Sequence, residues 1–197
     1  SISIDSNSIH SFTQTISGDY GHLTSSDGGK TLWSVYPGFT MLYKNLAIPN
    51  ATTRLSLDFD QTGSGGLWMR PILADPKDPD NAYLAGGGSN GIHYIWKVTY
   101  SGGKLSAGKL PHEFDNNNPV SALGISPINK NTFYAMTKNG KFYWSLDNGQ
   151  NFVQSDSLEK LTGHYFYGAS IKPSNVDENT VYIAGSGYNN PGVFVST

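Results

Sequence analysis

Apolar and aromatic residues occur along this chain in short runs, each bounded by segments rich in Asp, Asn, Pro, Gly and Ser. Four polar turns are each followed by such a run. Ser26-Asp27-Gly28-Gly29-Lys30-Thr31 leads into Leu32-Trp33-Ser34-Val35, and Asp75-Pro76-Lys77-Asp78-Pro79-Asp80-Asn81 leads into Ala82-Tyr83-Leu84-Ala85. Ser126-Pro127-Ile128-Asn129-Lys130-Asn131-Thr132 precedes Phe133-Tyr134-Ala135-Met136, and residues 173–180 precede Val181-Tyr182-Ile183-Ala184. Runs this short, with turn chemistry on both sides, predict β-strands. Pro sets one turn dihedral and Asp or Asn bonds the local backbone, so each turn ends one strand and starts the next.

The aromatic residues of these runs, Trp33, Tyr83, Tyr134 and Tyr182, are 50, 51 and 48 residues apart. A period of this length marks a repeat of one supersecondary unit, as in propellers. Before the turns lie Val120-Ser121-Ala122-Leu123-Gly124-Ile125 and Tyr167-Gly168-Ala169-Ser170-Ile171, whose small residues suit an innermost strand, A. The aromatic run is strand B. Lys141-Phe142-Tyr143-Trp144-Ser145 follows the Asn139-Gly140 hairpin signal as strand C, and D begins near Phe152. The expected fold is all-β: a β-propeller segment of four-stranded antiparallel blades over 1–197. Approximate blade limits are 11–66, 67–118, 119–164 and an incomplete 165–197. Residues 11–16 could supply the strand missing from the fourth unit, but the favoured expectation is an arc of a larger propeller, because Ser196-Thr197 begins another turn motif.

Ser145-Leu146-Asp147-Asn148-Gly149-Gln150-Asn151-Phe152 carries Ser, Asp, Gly and an aromatic at fixed offsets. A carboxylate at 147 can accept backbone N–H bonds within the turn, Gly149 can take a positive φ, and Phe152 can plug the core. This Asp is read as a hairpin clasp rather than a catalytic group. Ser25 to Trp33 looks similar, but its aromatic arrives one residue late. Since a one-residue slip would reverse every following side chain, it is preferred as an A–B turn.

With 14% charged residues, a formal net charge of -2 and scattered lysines, the chain has no basic stripe for nucleic acid. No apolar run reaches the length of a membrane-spanning helix, so membrane insertion is not expected. The absence of Cys removes disulfides and thiolate chemistry. The five His are dispersed without metal-ligand spacing, and no cofactor is expected. Asp75 to Asp80 collects carboxylates that calcium could use, but a solvated turn is the preferred reading. Gly86-Gly87-Gly88-Ser89-Asn90-Gly91 lacks the Lys and following helix of a phosphate loop.

On the turn-strand repeat and the motif at 145–152, the chain resembles the Asp-box (BNR-repeat) β-propellers. That superfamily includes bacterial sialidases, xyloglucanase-type glycosidases and sortilin-type ligand-binding propellers. The resemblance implies a secreted or cell-surface protein. Arg54 and Arg70 are the only arginines, so the three-arginine clamp of sialidase-like sites cannot be completed within this chain.

An antiparallel meander puts the A–B and C–D turns on one face and the B–C and D–A connections on the other, where recognition is expected. Candidates for ligand binding there are Asp19, His22, Trp68, Arg70, His93, His164, Tyr165 and Tyr167, with Tyr20, Tyr94 and Tyr188 nearby. Aromatic area and a few polar tips suit a glycan or protein partner, or other parts of a large multi-domain protein. Packing between blades is the ordinary alternative for each aromatic. The expected function is a non-catalytic recognition or scaffold module. The alternative is part of a glycoside hydrolase, for which Asp19 and Asp115 are the best carboxylates, with Asp58 and Asp60 competing.

Overall fold

The computed structural model describes residues 3–5, 8–11, 21–45, 52–63, 66–114, 117–156, 167–187 and 192–196. A short ribbon pairs Ser3–Asp5 (β1) with Ser8–Ser11 (β2). Of residues 11–16, proposed above as a closing strand, Ser11 ends β2 and 12–16 lie outside the described residues. The first large sheet is a meander of His22–Thr24 (β3), Thr31–Tyr36 (β4), Phe39–Lys44 (β5) and Thr53–Asp58 (β6). After a 3-10 turn at Phe59–Thr62 comes the second: Ile72–Ala74 (β7), Asn81–Ser89 (β8), Ile92–Ser101 (β9) and Lys104–Lys109 (β10). Val120–Ile125 (β11), Phe133–Thr137 (β12), Phe142–Ser145 (β13) and Val153–Gln154 (β14) form the third, and Tyr167–Pro173 (β15), Val181–Ser186 (β16) and Val193–Ser196 (β17) the fourth. Every neighbouring pair is antiparallel, and the four sheets are the blades of a β-propeller.

The first strands lie innermost. His22, Leu73, Ser121, Ala122, Ala169 and Ser170, from all four sheets, line one central cavity of about 190 Å³. The small side chains let the strands crowd there. Gly124 and Gly168 have the same cause, since a Cβ on either would come within 2.7 Å of Ile171 or Met136.

Side-chain alternation sends one face of each sheet into the next. Trp33 packs in a cluster with Ile72, Ala82, Leu84 and Val98 of the second sheet. Tyr83 packs with Val120, Leu123 and Phe133 of the third, its ring edge-on to Phe133 at 4.8 Å. Tyr134 packs with Ile171, Val181 and Ile183 of the fourth. Each sits across the ladder from its sheet's first strand: Trp33 from Thr24, Tyr83 from Leu73, Tyr134 from Gly124 and Tyr182 from Lys172. The four aromatics therefore hold equivalent places. Three are buried, whereas Tyr182 is 47% exposed beside exposed Val195.

The A–B/C–D face is stitched from blade to blade. Trp33 Nε1 donates to the Pro79 carbonyl at 2.9 Å, and Lys44 pairs with Asp80. Lys77 reaches Asn131 and Asn148 of the third sheet, whose Lys130 Nζ donates to the Pro76 carbonyl at 2.8 Å. The turn at 145–151 is clasped as its residues predict. Asp147 Oδ1 accepts from Ser145 Oγ at 2.7 Å and from the Asn151 N–H at 3.0 Å, while the Gly149 N–H reaches Ser145 Oγ at 3.0 Å. The bonds from Asn151 and Ser145 hold the Asp147 carboxyl down at about 2. The turn at 25–31 joins first and second strands, as preferred from sequence, yet repeats the clasp: Thr31 N–H to Asp27 Oδ1 at 2.9 Å and Gly29 N–H to Ser25 Oγ at 2.9 Å.

One expectation is corrected here. The acidic turn at 75–80 is not simply solvated, because Asp75 is buried. Its carboxylate accepts from the Lys77 N–H at 2.9 Å and the Tyr83 hydroxyl at 3.1 Å. Burial, reinforced by the Asp75 charge, pushes the Tyr83 phenol well above its ordinary range.

Candidate ligand-binding face

On the opposite face, the connection from the first to the second sheet lies flat on β8. Arg70 anchors it: its guanidinium donates to the Thr62 carbonyl and hydroxyl, both at 3.0 Å, and to the Gly63 carbonyl at 2.6 Å, and it lies 4.0 Å over the Phe59 ring. Burial draws this guanidinium down to about 10, opposed by the Asp60 charge, so it stays cationic at neutral pH. The Leu67 N–H donates to the Gly86 carbonyl at 2.8 Å. The Gly86-Gly87-Gly88 run exists for this approach. A Cβ on Gly87 would be 2.3 Å from the Thr62 carbonyl oxygen and 2.4 Å from Arg70 Nη1, and one on Gly66 would be 1.6 Å from the Gly86 oxygen.

The β8–β9 hairpin turns through Asn90 and Gly91, with φ of 54° and 82°, the pair of positive values a two-residue hairpin favours. The connection from the second to the third sheet returns alongside it. The Phe114 N–H donates to the His93 carbonyl and the Asn117 N–H to the Gly91 carbonyl, each at 3.0 Å. The β12–β13 turn joins through the Lys138 N–H, which donates to the Pro119 carbonyl at 3.0 Å.

These loops enclose a pocket of about 480 Å³ between the second and third sheets. Leu67, Asn90, His93, Asn117, Pro119 and Lys138 line it, with Gly66, Gly88 and Gly91 contributing backbone. No carboxylate is among these lining residues. Lys138 is exposed. His93 is buried in the wall, and its Nδ1 has no hydrogen-bond partner. Burial lowers the His93 pKa, as do the Lys138 and Arg70 charges, against the Gly87 carbonyl. Its imidazole is neutral at pH 7, able to donate from one nitrogen and accept at the other.

His93 is thus in the pocket wall, and Trp68, adjacent to Leu67, is 61% exposed. Arg70 is held inside the fold behind β8. His22 lines the central cavity instead, and Tyr167 opens β15 half-buried. Asp19, His164 and Tyr165 lie outside the described residues, as do Tyr20, Tyr188 and Asp115. Tyr94 is buried, its hydroxyl donating to Glu113 at 2.9 Å. Sequence reasoning missed Asn90, Asn117 and Lys138. The Asn90-Gly91 and Asn139-Gly140 hairpins were the available signal for two of them, since a B–C turn places its own residues on this face. Among the described residues, no group of three or more His, Asp or Glu could hold a metal.

A second histidine is also kept neutral. His112 Nδ1 accepts the Phe152 N–H at 3.3 Å among Phe114, Tyr143 and Phe152, and burial lowers its pKa against the Glu113 charge. For a histidine whose folded pKa is depressed, stability is complete above the unfolded value near 6.5 and is lost as pH falls through the window below it. Thermal unfolding is expected to be flat from pH 8 to 7 and to weaken from about 6.5 downwards, by at most about 1.4 kcal/mol per pH unit for each histidine. The His93→Asn/His112→Asn double variant should lose most of that decline. An unchanged slope would contradict the assignment.

No protein-family model matches the chain, and no curated protein matches it. Solved structures do. The GH74 enzyme of Niastella koreensis superposes with a TM-score of 0.60 at 16% identity, covering 89% of this chain and 27% of that one. The GH74 xyloglucanase of Xanthomonas campestris gives 0.58 at 14%, covering 88% and 28%. YCF48 bound to D1 peptide gives 0.58 at 15%, covering 88% and 48%. At these identities the likeness is one of fold. The molecule is a β-propeller, and it spans less than half the length of these three solved chains.

Proposed function

We propose that this chain is a non-catalytic glycan-recognition part of an Asp-box propeller from a secreted or cell-surface protein of bacterial type. The observation that carries the reading is the polar pocket between the second and third sheets with exposed Trp68 next to it in sequence. Amides of Asn90 and Asn117 can each donate and accept, which matches sugar hydroxyls, and an exposed indole offers a face to a pyranose ring. The pocket volume is in the ordinary range for small-ligand sites. The stitching of the opposite face leaves this one free for a ligand. The paired clasps at Ser25/Asp27 and Ser145/Asp147 support the Asp-box assignment. Among proteins of similar fold, one is a xyloglucanase and one was solved with a peptide, so both polysaccharide and peptide ligands occur on such propellers. The hydrolase alternative requires a carboxylate pair, and no carboxylate is among the described residues that line this pocket.

A glycan array probed with the 197-residue chain should return a saccharide, and Trp68→Ala and Asn117→Ala should each weaken it about tenfold. Saccharide binding indifferent to both variants, or capture of peptides alone, would overturn the proposal.

A further inference from the structure

The pocket has an electrostatic sign that the glycan reading does not itself require. Lys138 stands at its mouth with no acidic partner among the described residues, and the only salt bridges there are Lys44 with Asp80 and Lys97 with Asp75. Behind β8 the Arg70 guanidinium makes its hydrogen bonds to neutral oxygens, and its charge is felt at His93 together with that of Lys138. His93 adds a buried Nδ1 with no partner. No carboxylate is among the described lining residues, and Asp60 opposes the Arg70 charge from outside the lining. The unmet charge at the pocket is therefore that of the Lys138 ammonium, with the His93 imidazole beside it. A bound anion would meet it with charge-assisted bonds, which exceed neutral ones in strength.

We propose, resting on the glycan reading above, that the pocket between the second and third sheets takes a uronic-acid residue of an acidic polysaccharide, its carboxylate against Lys138 and the His93 imidazole. The amides of Asn90 and Asn117 then meet the ring hydroxyls. A neutral imidazole serves better here than a second lysine, because it donates to a carboxylate without adding charge to a wall that already has Arg70 behind it. The hairpin turns at Asn90-Gly91 and Asn139-Gly140 carry Asn90 and Lys138 to the pocket.

Calorimetric titration decides the matter, using trigalacturonate, trimannuronate and a hyaluronan hexasaccharide, each against its methyl ester. The esters keep the shape and lose the charge. At least one acid should bind the 197-residue chain about ten- to hundredfold tighter than its ester at low salt, a margin that shrinks as salt rises. Lys138→Gln should erase that margin, bringing the acid down to the level of its ester, while Trp68→Ala weakens both forms and preserves the margin. Lys138 is exposed on a turn, so the variant should fold, and an unchanged melting temperature verifies it. If acid and ester bind equally and Trp68→Ala still weakens them, the uronate inference fails and the glycan reading stands. If no saccharide binds, acidic or neutral, both fail. If a peptide with a free carboxyl terminus binds, depends on Lys138 and outcompetes every saccharide, the anion belongs to a peptide and the uronate inference is overturned.

Discussion

Tyr134→Ala is expected to destabilise the 197-residue chain by about 3–5 kcal/mol, as removal of a large buried aromatic does, whereas Tyr182→Ala should cost under about 1 kcal/mol. The two residues occupy the same place in successive sheets, one across the ladder from Gly124 and the other from Lys172. What differs is the neighbour. Tyr134 is buried against Ile171, Val181 and Ile183 and stacks on Phe142 at 5.9 Å, and its loss leaves a cavity walled by two sheets. Tyr182 is 47% exposed, so truncation removes little buried surface. Urea titration of the two variants reads the difference directly. Equal losses would mean that the outer side of the fourth sheet is covered as fully as the inner sides. Similar losses at Tyr83 and Tyr134 would extend the equivalence along the repeat.

Gly87→Ala should be the most damaging single-methyl change in the second sheet, costing about 2–3 kcal/mol, at the upper end of overpacking effects. The added carbon would meet the Thr62 carbonyl and the Arg70 guanidinium, neither free to give way. Thr62 is wholly buried, and Arg70 is held by three hydrogen bonds and the Phe59 ring. Relief would require lifting the connection off β8, which displaces Gly66 and Leu67 from the pocket as well. The variant is therefore expected to lose ligand affinity together with stability, read by thermal unfolding and by the glycan array. Gly108→Ala is the control: nothing lies within 4 Å of a Cβ there, so it should change little. Comparable losses in both would refute the close-packing account of the glycine run.

The repeat was legible because its determinants are local. An aromatic at a fixed distance from a Pro/Asp/Asn turn reports a strand start whatever surrounds it, and Trp33, Tyr83, Tyr134 and Tyr182 indeed share one position in four sheets. The clasp at Ser145 and Asp147 was legible for the same reason, being made within one turn. The pocket was not, because it assembles residues from four separate loops of three sheets. Arg70 shows the limit most clearly: a solitary arginine in a loop reads as a ligand-binding group, and only the fold reveals that Thr62, Gly63 and Phe59 enclose it. Asn117 carried no motif and Lys138 only the hairpin signal that follows it, and both became candidate site residues only when their loops met beside Asn90. Asp75 was misread as solvated because its burial depends on the Tyr83 hydroxyl eight residues on.

Backbone hydrogen exchange, with and without the tightest-binding oligosaccharide from the array, tests the location of recognition most directly. Protection should appear at Gly91 to His93, at Asn117 and Asn118, and at Lys138, with residues 126–132 and 145–151 unchanged. Protection confined to those two turns, on the stitched face, would contradict the account.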